Sequence, residues 1–164
     1  MKTLLFSSTL LCLLASPAHA QLRKVDELSL AAANKLAVAA ITACQAQGRH
    51  IVVSVLDRGG NLVTVQRADG VGPHNTEASR RKAYTALSTK NDTQALAVAA
   101  RGNPDMANLT TVPELLLLGG GLPLRAKGEV VGAIGVAGGG GALQDRACAH
   151  AALAAIPELD SPTL

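Results

Sequence analysis

Residues 119–141 read GGGLPLRAKGEVVGAIGVAGGGG. Two apolar runs, 122–126 and 129–137, flank the dipeptide Lys127-Gly128, and this pattern is typical of two antiparallel strands joined by a tight turn. Glycines bound the predicted hairpin on both sides. They recur within its second strand, where a side chain would clash with closely approaching backbone. We therefore expect a hairpin against which another part of the chain, or another subunit, packs closely.

The elements around this hairpin are predicted from hydrophobic periodicity, caps and breakers. Further strands are expected at 51–56, 61–67 and 115–118, and helices at 30–47, 76–88, 93–100 and 143–156. The segment 101–113, with its glycine and prolines, is expected to be a loop. Hairpins and runs of like elements, rather than regular strand–helix alternation, predict the α+β class. The expected architecture is a central antiparallel five-stranded sheet flanked by helices.

The first twenty residues have the pattern of a secretory signal peptide. Lys2 provides a positive start, 4–14 is an apolar run, and Ala18-His19-Ala20 has the small-x-small form of a cleavage site. The apolar run is too short to span a bilayer. We expect a signal peptide at 1–20, a single mature domain at 21–164, and a periplasmic or secreted protein without membrane attachment after cleavage.

The composition of the mature chain argues against nucleic acid as a partner and leaves open the state of its two cysteines. Loss of Lys2 leaves 14 basic against 12 acidic residues, and Tyr84 becomes the sole aromatic residue, so nucleic acid is not an expected partner. Cys44 and Cys148 lie on the predicted apolar faces of the first and last helices. They form either a disulfide, which the compartment of an exported protein permits, or two buried free thiols.

The order and spacing of several short motifs resemble the GlcG/HbpS-like haem-binding family, a domain also found at the C-terminus of some corrinoid adenosyltransferases. The matching motifs are VLDRGG at 55–60, RADG at 67–70, ASRRKAYTA at 78–86, GGLP at 120–123, GEVVGAIGV at 128–136 and QD at 144–145. The resemblance implies a profilin-like α/β fold and homo-oligomers. For some members it implies haem binding outside the cytoplasm, and for others a place in glycolate or diol metabolism.

Haem iron needs an axial donor such as His or Tyr, and two residues are candidates. His74 lies in a Gly/Pro loop just before a basic helix, and we take it as the candidate iron ligand. Tyr84 is the alternative, although filling space is the commoner use of a buried aromatic side chain. Arg80 and Lys82 would pair with the haem propionates. The full candidate ligand-binding set is Arg67, Asp69, His74, Arg80, Lys82, Tyr84, Gly120 and Gly121.

Lys82 has two interpretations that the sequence leaves open. It either contacts an anionic ligand or forms a structural ion pair with Asp57 or Asp69.

The first hypothesis for function is an exported, oligomeric haem or tetrapyrrole-binding protein with a haem-linked redox or degradation role. The alternative is an enzyme or accessory protein of glycolate- or diol-type metabolism that binds a small anionic metabolite, with Lys82, Arg67, Asp57 and the loop 69–74 as its pocket. A purely structural assembly domain is the third. Whether the chain is an enzyme stays open, because no nucleophile constellation stands out.

Overall fold

The computed structural model describes Leu22 and residues 24–160, so the predicted signal peptide lies outside the described residues. The helices are α1 (Leu30–Gln45), α2 (His74–Thr89), α3 (Thr93–Gly102), α4 (Pro104–Ala107) and α5 (Ala142–Leu153), with a 3-10 turn at Asn108–Thr111. The strands are β1 (Val52–Asp57), β2 (Leu62–Arg67), β3 (Gly121–Ala126) and β4 (Glu129–Ala137). No helix in this described part combines the length and apolarity needed to cross a membrane.

The sheet has four strands in the order β2-β1-β4-β3, and every neighbouring pair is antiparallel. The α+β class and the antiparallel sheet are confirmed, but the prediction of five strands is wrong. Residues 115–118 form no strand because side-chain hydroxyls bind their backbone groups. Thr85 Oγ1 accepts a hydrogen bond from Leu116 N, and Thr93 Oγ1 donates one to Leu118 O, each at 2.8 Å. A backbone satisfied in this way has no need of a ladder partner.

Local capping signals fix most helix starts. Ser29 Oγ accepts a hydrogen bond from Ala32 N at 3.1 Å, and Asp92 Oδ1 accepts one from Gln94 N at 2.7 Å. The predicted starts of α1 and α3 are therefore confirmed. The predicted loop 101–113 instead contains α4 and the 3-10 turn, and Asn103 caps α4 through its side chain.

Helices α1 and α5 cover one face of the sheet and α2 covers the other. Val53, Val55 and Ile134 belong to the main core with α1 and α5. Within that core Cys44 and Cys148 form a disulfide with Cα atoms 5.6 Å apart, so the open question about the cysteines is resolved in favour of a bridge between α1 and α5.

Helix α2 packs directly on the glycines of the opening stretch. A Cβ atom at Gly135 would lie 2.0 Å from Ser79 O, and one at Gly121 would lie 2.2 Å from Lys82 O. No side chain fits at either position. Both glycines therefore bring β3 and β4 against the backbone of α2 within the chain.

Candidate functional site

An exposed surface lies between α2 and the edge strand β2, and we call it the α2–β2 face. Val65 pairs with Ser54, whose hydroxyl lies 2.8 Å from that of Ser79 on α2, so Val65 is on the α2 side of the sheet. Arg67, two residues further, is on the same side because side chains alternate along a strand. Leu62 is on this side too, because a register shift pairs it with Leu56, which packs against α2. Leu62 and Val65 are 48% and 42% exposed. The α2–β2 face thus offers apolar side chains and one guanidinium group to the surroundings.

His74 lies at one end of the α2–β2 face, as the first residue of α2, and it is exposed. A Cβ atom on Gly72 would lie 3.1 Å from Cε1 of His74, so the absence of a side chain at Gly72 leaves room for the imidazole ring. Arg67 reaches the same loop, since its Nε donates a hydrogen bond to Val71 O at 3.1 Å. The exposed Asp69 lies in this loop between them.

Next to His74 an open cavity of about 350 Å³ lies between three glycine-containing loops, and we call it the histidine pocket. It is lined by Gly48, Arg49, His50, Gly70, Val71, Gly72, Asn75, Gly138, Gly139 and Gly140. Arg49 donates to Gly139 O through Nη1. Sequence reasoning did not include Arg49, because nothing local links it to a loop ninety residues away. Arg49 and His50 line the histidine pocket, while Arg67 and His74 lie beside it, in contact with Val71 and Gly72 of its rim.

Tyr84 lies towards the other end of α2. A Cβ atom on Gly60 would lie 3.6 Å from the Tyr84 ring, and the side chain packs against the small cluster that contains Leu56 and Ala83. Ten residues separate Tyr84 from His74, which is about 15 Å along a helix. Within one chain the two candidate iron ligands therefore do not share a site.

Lys82 lies in the interior, where it is 1% exposed. Its Nζ donates hydrogen bonds to Asp145 Oδ2 at 2.7 Å and to Val136 O at 3.0 Å. Asp145 Oδ1 in turn accepts one from Gly139 N at 2.7 Å. We call this arrangement the lysine bridge, since it ties α2 to the end of β4 and to the start of α5. Gly120 lies against it, because a Cβ atom there would be 3.2 Å from Nζ.

Lys82 does form a structural ion pair, as one of its two interpretations predicted. The predicted partners, Asp57 and Asp69, are wrong. Asp57 instead accepts hydrogen bonds from its own turn, including one from Asn61 N at 2.8 Å. Burial raises the pKa of Asp57, but hydrogen bonds from the side chain and backbone of Asn61 outweigh it and lower the pKa overall. Asp69 is exposed on the loop before α2.

Arg80 is engaged by carboxylates rather than free for a ligand. Its Nη2 lies 2.7 Å from Glu77 Oε1 and 2.8 Å from Glu114 Oε2. Hydrogen bonds from Glu77 and then Glu114 raise the pKa of Arg80 above its ordinary value. The candidate residues thus divide into the histidine pocket, the lysine bridge, the Arg80 ion pairs and the Tyr84 cluster.

The sequence model of one family, described as "Haem degrading protein HbpS-like", matches residues 28–154 of this chain. The chain belongs to this family. The match runs from just before α1 to the end of α5, so it covers the whole sheet and every helix that packs on it. The predicted GlcG/HbpS-like membership is confirmed.

Three similar proteins support this assignment. The crystal structure of HbpS aligns with a TM-score of 0.77 and 40% identity, covering 83% of this chain and 94% of HbpS. The PduOC:heme complex aligns with a TM-score of 0.75 and 26% identity, covering 84% of this chain and all of PduOC. Protein GlcG of Escherichia coli (strain K12) is 32% identical over 114 residues, which is 66% of this chain and 80% of GlcG.

The donors in and beside the histidine pocket fit the haem that the family description implies. An exposed imidazole is an ordinary axial ligand for haem iron, and guanidinium groups are suited to carboxylates such as propionates. The pocket's apolar lining is limited to Val71, so the porphyrin would need the exposed Val65 of the α2–β2 face as well. Among the residues at 24–160, no group of three or more His, Cys, Asp or Glu side chains could hold a free metal ion.

Proposed function

We propose that this chain is an exported haem-binding protein whose His74 binds the haem iron. The observation that carries the proposal is the exposed imidazole of His74, which borders the pocket lined by Arg49 and follows the loop that Arg67 binds, in a chain of the HbpS-like family. The haem complex of a structural neighbour, PduOC, supports it further. In this arrangement Arg67 pairs with a propionate, and Val65 contacts the porphyrin.

The contacts of the other candidates favour His74 over them. Tyr84 is half-buried in a cluster with apolar neighbours, Arg80 is paired with two carboxylates, and Lys82 is buried in the lysine bridge. Each of these side chains would have to give up existing contacts to meet a ligand. His74 has nothing comparable to lose, because it is exposed at a helix start.

A second copy of the chain would complete the haem site. One copy covers a porphyrin on one side only, whereas bound cofactors are usually enclosed over most of their surface. The half-exposed Leu62 and Val65 on an edge strand are suited to a partner surface. The proposal therefore includes a homo-oligomer. The signal-peptide pattern at 1–20 and the disulfide between Cys44 and Cys148 are both in keeping with a periplasmic or secreted protein.

When bound, haem would supply a redox-active iron. The chain's own contribution is to bind and to orient. His74 offers a nitrogen lone pair, Arg67 fixes a carboxylate, and apolar side chains of the α2–β2 face exclude water from the ring.

The test is a haemin titration of the mature chain, residues 21–164, followed by its visible absorption. We expect saturable binding with a sharp Soret band in the unsubstituted protein. In His74→Ala the band should shift and the Kd should rise at least about tenfold, since one metal–ligand bond is lost. His50→Ala is the matched control, because it removes a second exposed histidine at the same pocket. Tyr84→Phe should leave the band in place.

Two outcomes would overturn this assignment. A non-saturating, featureless spectrum in the unsubstituted protein would reject haem binding. An unchanged spectrum in a folded His74→Ala variant, together with a shifted one in Tyr84→Phe, would move the iron ligand to the other end of α2. Light scattering of the same samples tests the oligomer.

The alternative function, binding of a small anionic metabolite by Lys82, Arg67, Asp57 and the loop 69–74, is not favoured at that location. Lys82 is enclosed with Asp145, and Asp57 is engaged in the β1–β2 turn. These residues do not line one pocket, so we propose no second function for them.

A further inference from the structure

A second polar cavity, of about 430 Å³, lies beyond the C-terminal end of α2, between the start of α3, strand β3 and helix α5. We call it the His150 pocket. Lys90, Arg125 and His150 are among its polar lining residues, and Leu122 and Leu153 are among its apolar ones. Its volume is within the range of about 300–1,000 Å³ typical of small-molecule sites.

The two carboxylates that line the His150 pocket already have partners. Asp92 caps α3 through Gln94 N and accepts a hydrogen bond from Arg146 Nε. Asp160 accepts hydrogen bonds from the backbone N–H groups of Lys127 at 2.9 Å and Gly128 at 2.7 Å. Both carboxylates are therefore held in place by structural contacts and cannot swing to neutralise the lining cations.

Neither cation of the His150 pocket forms an ion pair within residues 24–160. Within residues 24–160, Lys90 is exposed and its ammonium group makes no ion pair. Arg125 donates from Nη1 to Gly128 O at 3.1 Å and from Nη2 to Lys90 O at 2.8 Å. Those acceptors are neutral carbonyls, so the guanidinium charge remains available to an anion. The Arg125–Lys90 contact also keeps the two cationic residues next to each other.

His150 adds a neutral polar group. Its Nε2 is buried without a hydrogen-bond partner, 3.8 Å from Asp92 Oδ2. Burial, followed by the charge of Arg146, lowers the pKa of His150, and nearby Asp92 offsets this in part. The imidazole is therefore neutral at neutral pH and leaves the cationic character of the pocket to Lys90 and Arg125.

We propose that the His150 pocket binds a small monocarboxylate with a compact apolar body. The carboxylate lies between Lys90 and Arg125, and the apolar part contacts Leu122 and Leu153. A monoanion is favoured over a dianion such as a phosphate ester, because the fixed carboxylates of Asp92 and Asp160 repel additional negative charge. This site is separate from the histidine pocket and does not depend on haem binding.

The test uses isobutyrate as the probe and its uncharged amide, isobutyramide, as the ligand control. Both are titrated into the ¹⁵N-labelled protein and followed by amide chemical shifts. We expect saturable shifts with isobutyrate confined to the neighbourhood of the pocket, at residues 90–95, 122–125 and 150–153. Isobutyramide should give no saturable shift, because it cannot use the two cations.

Matched variants test whether the positive charge of Lys90 contributes to isobutyrate binding. Lys90→Gln should raise the Kd for isobutyrate about tenfold, the loss of one charge-assisted contact. Lys35→Gln, which removes an exposed lysine on α1, should leave the Kd unchanged. His74→Ala should also leave it unchanged, which separates this site from the haem proposal.

The proposal is overturned if isobutyrate gives no saturable shift, or if isobutyramide binds as well. It is also overturned if the shifted amides lie elsewhere, or if Lys35→Gln weakens binding as much as Lys90→Gln. The amide comparison uses the unsubstituted protein and so remains decisive even if Lys90→Gln is unstable.

Discussion

The lysine bridge and the histidine pocket are two basic regions built from the same helix, yet they have opposite physical character. Lys82 is 1% exposed and its charge is met by Asp145 and a backbone carbonyl. His74, two turns earlier on α2, is exposed beside an open cavity. The family-like motif around Lys82 therefore marks how α2 packs on the glycine strands, whereas the segment 67–74, which leads into the first turn of α2, holds the accessible donors. Resemblance to a family identifies a fold more directly than a site.

The largest expected effect comes from breaking the lysine bridge. Lys82→Met should destabilise the protein by about 3–5 kcal/mol, because it leaves the buried Asp145 carboxylate without its charged partner. The measurement is urea unfolding followed by circular dichroism. Lys35→Met, at an exposed lysine on α1, should change the free energy of unfolding by no more than about 0.5 kcal/mol. A loss below about 1 kcal/mol in Lys82→Met would contradict the structural role of the bridge.

The disulfide lies on the other face of the sheet. Its removal should lower the free energy of unfolding by a comparable or slightly smaller amount. The bridge joins cysteines 104 residues apart, and loss of a native disulfide typically costs about 2–5 kcal/mol. The double variant Cys44→Ala/Cys148→Ala should therefore unfold at lower urea concentration than the oxidised protein. Reduced unsubstituted protein should behave like the double variant. If reduction leaves the unfolding midpoint unchanged, the bridge does not contribute to stability.

A substitution at Gly72 should affect the histidine pocket with little effect on the core. In Gly72→Ala the new methyl group would lie 3.1 Å from Cε1 of His74, so the exposed ring has to move aside. We expect a stability change within about 1 kcal/mol and a several-fold weaker haemin affinity. Haemin titration and urea unfolding of the same sample check the two effects. Equal haemin affinity in Gly72→Ala would show that the position of the His74 ring is unimportant.

The smallest effect is expected at His150 and depends on pH. Because the folded state holds the pKa of His150 below its ordinary value, the unfolded chain takes up a proton at higher pH than the folded one. Stability should therefore fall as pH decreases through about 6.5, and this part of the fall should be absent in His150→Gln. Unfolding at about pH 7.5 and pH 5.5 measures it. A steeper fall in the variant than in the unsubstituted protein would reverse the sign and contradict the argument.

Local sequence signals predicted most of the regular structure. The strand predicted at 129–137 is β4 as observed, and Ser29 and Asp92 are the caps that were expected. Besides the short helical turns in the predicted loop 101–113 and the start of α2 at His74 rather than 76, the exception is 115–118, where an apolar run predicted a strand that does not form. Apolar character indicated burial there, but it contained no information on the hydroxyls of Thr85 and Thr93 that bind the backbone instead.

The candidate site was predicted less completely. The sequence indicated His74, Arg67 and Asp69, which lie in or next to one loop and therefore stay together in the fold. It included neither Arg49 nor the residues of the His150 pocket, because their neighbours come from distant segments. It also placed Lys82 and Tyr84 with His74, although the helix directs them to other surroundings.

The sequence by itself determined the family, the α+β class and the positions of the main helices and strands, since these depend on periodicity, caps and turns within a few residues. Only the tertiary structure decided that Lys82 pairs with Asp145, 63 residues away, and that Cys44 pairs with Cys148. It also decided which basic residues face solvent. The physical reason is that burial and pairing of a polar group depend on which distant segments pack around it, and that packing is decided by the whole fold at once.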